Sequence, residues 1–397
     1  MNKTELDVSR ARLDTPGCEN VLHFNNAGAS LMPKPVLDAT VDYLRLEAQM
    51  GGYEAAELAH SSVECAYDAI GSLVNCSRDE IAIIENATRA WDMAFYAIPF
   101  KPGDRILTCV AEYGSNYIAF LQIAQKTGAI IEVIPNDEYG QVSIAALENR
   151  IDEHVRLIAM THVPTNGGLV NPATEIGTIA RKSNILYLLD ACQSVGQMPV
   201  DVQAIGCDML SATGRKYLRG PRGTGFLYVR RNVIEKLEPP FLDLYAATWA
   251  ARDHFEIRPD ARRFENWETN YAGKVGLGVA VEYALSWDLE NIWTRISSLA
   301  STLRARLGDM PHVQVRDLGQ QKCGIVTFTM HGQDPQAIRR KLVEQKINVS
   351  VSAAGSTRLD MEARELKSVL RASVHYYNTT EEIERFCQAV SRMTPTT

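Results

Sequence analysis

The sequence predicts an α/β protein, with a mostly parallel sheet covered by helices and a smaller α+β unit after it. Three observations carry this. Between about residues 80 and 230, short apolar runs at 105–110, 130–134, 157–161, 185–190, 209–212 and 225–229 alternate with helical stretches. Strands separated by helical crossovers pair in parallel. After about residue 293 the order changes to a long helical stretch followed by mixed strands and helices. The chain also has 397 residues, more than a single small core usually serves.

Taken in order, residues 1–30 read as an arm, loosely packed to about residue 20. Pro33 suits a helix start, and apolar residues at helical spacing (Val36, Leu37, Val41, Leu44) carry that helix to about residue 50. A second helix covers 59–74, and helices at 88–98, 116–126 and 173–182 separate the strand-like runs. Beyond them come a helix at 292–307, runs at 313–315, 324–330, 347–352 and 369–374, and helices at 335–345 and 380–393. The units expected are an arm (1–30), a large unit (31–290) and a small C-terminal unit (291–397) that the arm joins.

Bulk properties narrow the function. The net charge is −7 with no long basic run, which argues against nucleic acid or an anionic membrane as partner. No apolar run approaches the roughly 18–20 residues that span a bilayer, and the polar start has no apolar core of a signal peptide. Eight scattered cysteines without a CxxC pair read as mostly buried thiols of a cytoplasmic protein, with neither a disulfide framework nor a metal site.

Three segments could carry chemistry. In Ile185-Leu-Tyr-Leu-Leu-Asp190 an apolar strand runs into a carboxylate. That carboxylate either caps the next helix or faces a cation at the sheet's carboxyl edge. Lys216 lies between the Thr213-Gly214 turn and a loop with Gly220, Gly223 and Gly225, either as a solvated charge or as a placed amine. Glu85-Asn-Ala-Thr88-Arg89-Ala90 opens a helix. It is either an ordinary capped start or an anion site built from free N–H groups.

The order of these segments resembles a family. DACQSVGQMPVDV followed by TGRKYLRGPRGTGFLYV is similar to the cofactor segment of class V aminotransferases and cysteine desulfurases, which are fold-type I PLP-dependent transferases (PLP, pyridoxal 5′-phosphate). FNNAGASLMP, ENATRA, AEYGSN, THVPTNGGLVNP and RASVHYYNTTEEIE match in the same order. The resemblance implies that Lys216 holds PLP as a Schiff base and that Asp190 pairs with the ring nitrogen. It implies that Gln193 and Thr165 serve the ring's phenolic oxygen, and that Thr88, Arg89, Ala90, Thr213 and Arg215 form the phosphate cup. Tyr113 would stack on the ring where desulfurases usually carry His, with its hydroxyl as an extra acid–base group. Arg371 would clamp the substrate carboxylate, with Asn26 and Ala27 on the substrate side. Lys216, Tyr113 and Asp190 are the expected catalytic residues. Residues 262–268 resemble a segment that family dimers push towards the neighbouring site, though their composition reads as a charged surface loop. Trp249 and Trp267 read as packing aromatics.

One departure from the family bears on the reaction. Desulfurases carry a catalytic Cys before the C-terminal Arg, and the matching stretch Ser350-Val-Ser-Ala-Ala-Gly-Ser-Thr-Arg358 has none. Cys323 and Cys387 look unsuited to replace it. The expectation is β-elimination from a cysteine derivative, a C–S lyase reaction giving pyruvate, ammonia and a sulfur product. Epimerisation, transamination and desulfurase-like chemistry on the same scaffold are the alternatives. Retention of both Lys216 and Asp190 speaks against a non-catalytic binding protein. The resemblance also implies a homodimer acting on a small amino acid, with active sites at the subunit interface.

Overall fold

The computed structural model describes residues 6–393. Residues 1–5 of the expected arm and 394–397 of the expected small unit lie outside the described residues. The centre is a seven-stranded sheet. In chain order its strands are β1 (Ile81–Ile84), β2 (Arg105–Cys109), β3 (Ile130–Ile134), β4 (Val155–Thr161), β5 (Leu186–Asp190), β6 (Met209–Thr213) and β7 (Gly225–Val229). They lie in the order β1-β7-β6-β5-β4-β2-β3, with β7 antiparallel to both neighbours and the remaining pairings parallel. Except for the edge strand β3, the sheet is largely buried on both faces, and period-two alternation assigns its side chains. Tyr187 and Leu189 of β5 enter one core, and Leu188 between them enters the other. The covering helices include α1 (Lys34–Met50), α2 (His60–Val74), α3 (Ala87–Phe95), α4 (Gly114–Thr127), α5 (Ala173–Ser183) and α6 (Tyr271–Ser286).

Beyond β7 an antiparallel hairpin, β8 (Ala247–Ala251) and β9 (His254–Ile257), stands apart from the sheet. A second, four-stranded antiparallel sheet follows, built from β10 (Val313–Val315), β11 (Ile325–Met330), β12 (Ser350–Ala353) and β13 (Ser368–Ser373) in the order β10-β11-β13-β12. Helices α7 (Leu289–Gly308), α8 (Pro335–Glu344) and α9 (Thr380–Ser391) belong to this part of the chain.

Four expectations need correction. The arm is not loosely packed: Val8–Leu13 is helical, Ala11 and Thr15 are fully buried, and Arg12 pairs with Glu382 at 2.9 Å. Leu22–His23 pairs in parallel with Ile347–Asn348, which removes the start of the 347–352 run from the second sheet. Trp249 and Trp267 are not packing aromatics, since 71% and 54% of their surfaces are exposed. Residues 262–268 are no simple surface loop. Glu265 is buried, takes hydrogen bonds from Tyr67 and the Ile83 amide, and pairs with buried Lys274 at 2.7 Å.

Arg219 joins the arm, the Lys216 loop and the second half of the chain. It is 1% exposed, and its backbone is left-handed (φ +62°), a conformation that a non-glycine residue holds only under constraint. Its Nε donates to the Leu31 carbonyl at 2.9 Å, Nη1 to the Tyr376 hydroxyl at 2.7 Å and Nη2 to Thr15 Oγ1 at 2.5 Å. The guanidinium also lies 4.5 Å from the Tyr377 ring centre, a cation–π contact. Replacing Arg219 by Ala leaves buried acceptors unpaired and opens a void. A loss of about 3 kcal/mol or more is expected, read from the midpoint of chemical denaturation. Arg219→Lys should recover only part of it, because an ammonium cannot reach three divergent partners.

Candidate active site

Parallel strands place their carboxyl ends along one edge, where open α/β sheets bind ligands. The ends of β4 and β5 lie side by side there, with Thr161 in register with Asp190, and Asp190 in register with Ser211 of β6. The segments leaving β2, β5 and β6 carry Tyr113, Gln193 and Lys216. Gly196 lets two of these segments close on each other. Its φ is +91°, and a Cβ there would stand 2.5 Å from the Tyr217 carbonyl carbon. The result is a cavity of about 190 Å³ bordered by Thr88, Tyr113, Asp190, Cys192, Gln193 and Lys216, with Thr165, Thr213 and Arg215 also on its wall.

Asp190 is 7% exposed. Its Oδ1 accepts the Cys192 amide at 2.9 Å, and its Oδ2 accepts Asn116 Nδ2 at 3.0 Å. Burial pushes its carboxyl up, opposed by these donors and by the nearby Lys216. Burial pushes the Lys216 amine down, Arg215 and Arg371 add to this, and Cys192 opposes it. Lys216 Nζ lies 3.2 Å from Cys192 Sγ. A lowered pKa gives the amine a neutral fraction able to act as nucleophile or base.

A second group of contacts holds the upper wall. Thr165 Oγ1 accepts Arg371 Nη1 at 2.5 Å and Gln193 Nε2 at 3.3 Å, and the Thr165 carbonyl takes Nη1 at 3.1 Å. Arg371 Nε donates to Ser350 Oγ at 3.0 Å. Burial lowers the Arg371 pKa to about 10. Among the described residues neither Arg371 nor Arg215 pairs with a carboxylate. Gln193 Nε2 also donates to the Ala27 carbonyl at 3.1 Å, while its Oε1 is buried without a partner.

Not every expected residue reaches the cavity. Thr88 lines it at the start of α3, where Asn86 caps the helix by accepting the Arg89 amide at 3.0 Å. The Arg89 side chain turns away, over the Phe241 ring and towards Asp92, and Ala90 is fully buried in the core. The Arg89 amide is taken by Asn86 Oδ1 and the Ala90 amide by the Asn86 carbonyl at 3.0 Å, so neither residue has a free backbone N–H for a phosphate. Asn26 is held elsewhere: Nδ2 donates to the Ser373 carbonyl at 2.7 Å, and Oδ1 accepts the Tyr377 hydroxyl. Ala27 contributes its carbonyl to Gln193. Conversely, sequence reasoning passed over Asn116, Cys192 and Glu112. Glu112, two residues before α4, and Asn116, in its first turn, flank Tyr113, and that pair of polar groups was the available signal for those two.

The family model described as Aminotransferase class-V matches residues 22–386. A probable cysteine desulfurase of Methanothermobacter thermautotrophicus is 29% identical over 380 residues, covering 94% of each chain. One from Xylella fastidiosa strain 9a5c is 30% identical over 409 residues, covering 98% of this chain and 96% of its own. The apo structure of cysteine desulfurase from Thermococcus onnurineus NA1 superimposes with a TM-score of 0.92 at 26% identity, covering 99% of both chains. The cystine C–S lyase C-DES, solved with its product cysteine persulfide, shares the fold with a TM-score of 0.86 at 24% identity, covering 95% of this chain and 99% of its own. The protein thus belongs to the class-V aminotransferase family of fold-type I, PLP-dependent enzymes.

Proposed function

We propose that the protein is a C–S lyase that removes the sulfur substituent from an L-cysteine derivative by β-elimination, releasing pyruvate and ammonia. The observation that carries this reading is Lys216, an amine of lowered pKa in one cavity with Asp190, while the segment where desulfurases keep their thiol brings none. That segment, residues 350–357, contains only Ser, Val, Ala, Gly and Thr. It also packs tightly: a Cβ on Gly114 at the start of α4 would stand 2.4 Å from the Gly355 carbonyl oxygen.

The donor set fits PLP in kind. Asp190 would keep the ring nitrogen protonated, and Lys216 would hold the cofactor. Thr88, Thr213, Arg215 and the first N–H groups of α3 would hold the phosphate. Thr165 Oγ1 accepts two hydrogen bonds from the protein, so its own proton is free for the phenolic oxygen beside Gln193. When bound, the cofactor supplies an electron sink for negative charge left at the substrate α carbon. Arg371 would orient the substrate carboxylate, since among the described residues its Nη2 has no protein partner. Lys216 in its neutral form would take the α proton. Tyr113 would cover the open side of the ring and keep water from it.

A second reading, desulfuration, has one observation in its favour. Cys192 lines the same cavity, 3.2 Å from the Lys216 amine. The products separate the two. With cysteine or cystine and no added keto acid, the lyase releases pyruvate, and Cys192→Ser should keep that release within about threefold, in the range of a modest packing change. Alanine as product, with a persulfide on the Cys192 peptide by mass spectrometry, would replace the lyase reading. Dependence on a keto acid would point to transamination.

Cofactor binding has its own measurement. The purified protein should carry a visible absorption band that borohydride fixes covalently to the Lys216 peptide and that Lys216→Ala abolishes. A PLP-free, colourless protein that gains no band when PLP is added would defeat the proposal.

We also propose a homodimer. Phe241, Leu244, Trp249, Phe255 and Trp267 are all more than half exposed around the β8–β9 hairpin, a concentration of apolar surface that soluble chains usually cover. Sedimentation should give twice the chain mass, with Trp249→Ser together with Phe255→Ser shifting it to monomer. A wild-type monomer would rule this out.

A further inference from the structure

Glu112 is a buried acid to which the chemistry above gives no work. It is 3% exposed and among the described residues pairs with no cation; its partners are dipoles. Oε1 accepts Thr161 Oγ1 at 2.5 Å, the Tyr113 amide at 2.8 Å and Asn116 Nδ2 at 2.9 Å, and Oε2 accepts Thr108 Oγ1 at 3.0 Å. Burying a carboxylate without a counter-ion is unfavourable, so a residue that merely filled this space would be better apolar.

The geometry gives the acid a task. Asn116 Nδ2 has two protons: it lies 2.9 Å from Glu112 Oε1 and 3.0 Å from Asp190 Oδ2, so one can go to each carboxylate. The flipped amide would instead set its oxygen against an oxygen of each carboxyl group. Glu112 therefore fixes Asn116 as a donor, and Asn116 fixes the Asp190 carboxylate. The same Glu112 oxygen holds the backbone of Tyr113, on another wall of the cavity. We infer that Glu112 is a positioning residue: through the Asn116 amide and the Tyr113 N–H it sets the relative placement of Asp190 and Tyr113 around the cavity. This rests on reading the cavity as the PLP site. A cap confined to the start of α4 would stabilise the helix but would not couple Glu112 to Asp190.

The test is a double-mutant cycle on cofactor affinity. The full chain is stripped of PLP and titrated back with PLP, following the visible band, for wild type, Glu112→Ala, Asn116→Ala, the double variant and Glu112→Gln. Loss of a hydrogen bond to a charged group predicts about tenfold weaker PLP binding for each alanine variant. The double variant should be no weaker than the worse single one, because either change already breaks the relay. Glu112→Gln, which keeps an acceptor facing Asn116, should bind nearly as wild type does. Glu112→Leu takes the alanine variant's place if the latter does not fold, as judged by far-UV circular dichroism of the cofactor-free protein. Losses that multiply in the double variant, or single variants that bind PLP normally, would overturn the relay and leave the PLP site standing. A wild-type chain that takes up no PLP would remove both.

Discussion

A carboxylate at the end of a wholly apolar strand governs the arrangement around it. Strand β5 is buried on both faces, so Asp190 is delivered to the sheet edge with little water. A charge in that position is tolerated only with hydrogen-bond donors and a cation nearby. The Cys192 amide and the Asn116 side chain are the donors, and Lys216 lies close enough to stabilise the ionised form. Each of these comes from a different connection: the turn after β5, helix α4 after β2, and the loop after β6. Satisfying one acid therefore fixes how three loops meet, and the cavity is the space they enclose.

The same logic explains what could be read from the sequence. Apolar runs that end in a chemically distinctive residue were legible, because burial on two faces leaves a plain signature. So β5 with Asp190, and the loop holding Lys216, stand where the motifs placed them along the chain. What a motif could not give was side-chain direction. Thr88, Arg89 and Ala90 are consecutive on a helix, and successive helical residues point about 100° apart, so only Thr88 faces the cavity while Arg89 turns to Phe241. Asn26 lies near the site in sequence terms but is held by Ser373 and Tyr377, partners some 350 positions distant that no local pattern reveals. Strands β8 and β9 were missed for a different reason. All but their first and last residues are exposed on both faces, so neither periodicity nor an apolar run marks them.

The arm shows how a long-range contact can overrule composition. Its polar, charge-mixed sequence carries no amphipathic signal strong enough to predict packing. Yet Arg12 finds Glu382, Thr15 finds Arg219, and Leu22–His23 adds to Ile347–Asn348. Arg219 in turn sits three residues beyond Lys216. A change in how the arm packs would thus be felt first in the loop that carries Lys216, not in the sheet.

Charge gives the last constraint on what the cavity can hold. Arg215 and Lys216 line it and Arg371 lies against Thr165 of its wall, while Asp190 is the single acid among the lining residues. No protein carboxylate among the described residues pairs with either arginine, and burial already pulls the Arg371 pKa down to about 10. The excess of basic groups suits anionic ligands. On the proposed reading, a phosphate with roughly −1.5 to −2 charge would sit near Arg215 and Thr88, and an amino-acid carboxylate near Arg371. Thr165 links Arg371 to Gln193, because its hydroxyl takes hydrogen bonds from both. A carboxylate held by Arg371 Nη2 would leave both hydrogen bonds on that hydroxyl in place, and its proton directed to the cavity. On that reading, recognition of the substrate carboxylate and the hydrogen bonding around Thr165 would be parts of one network.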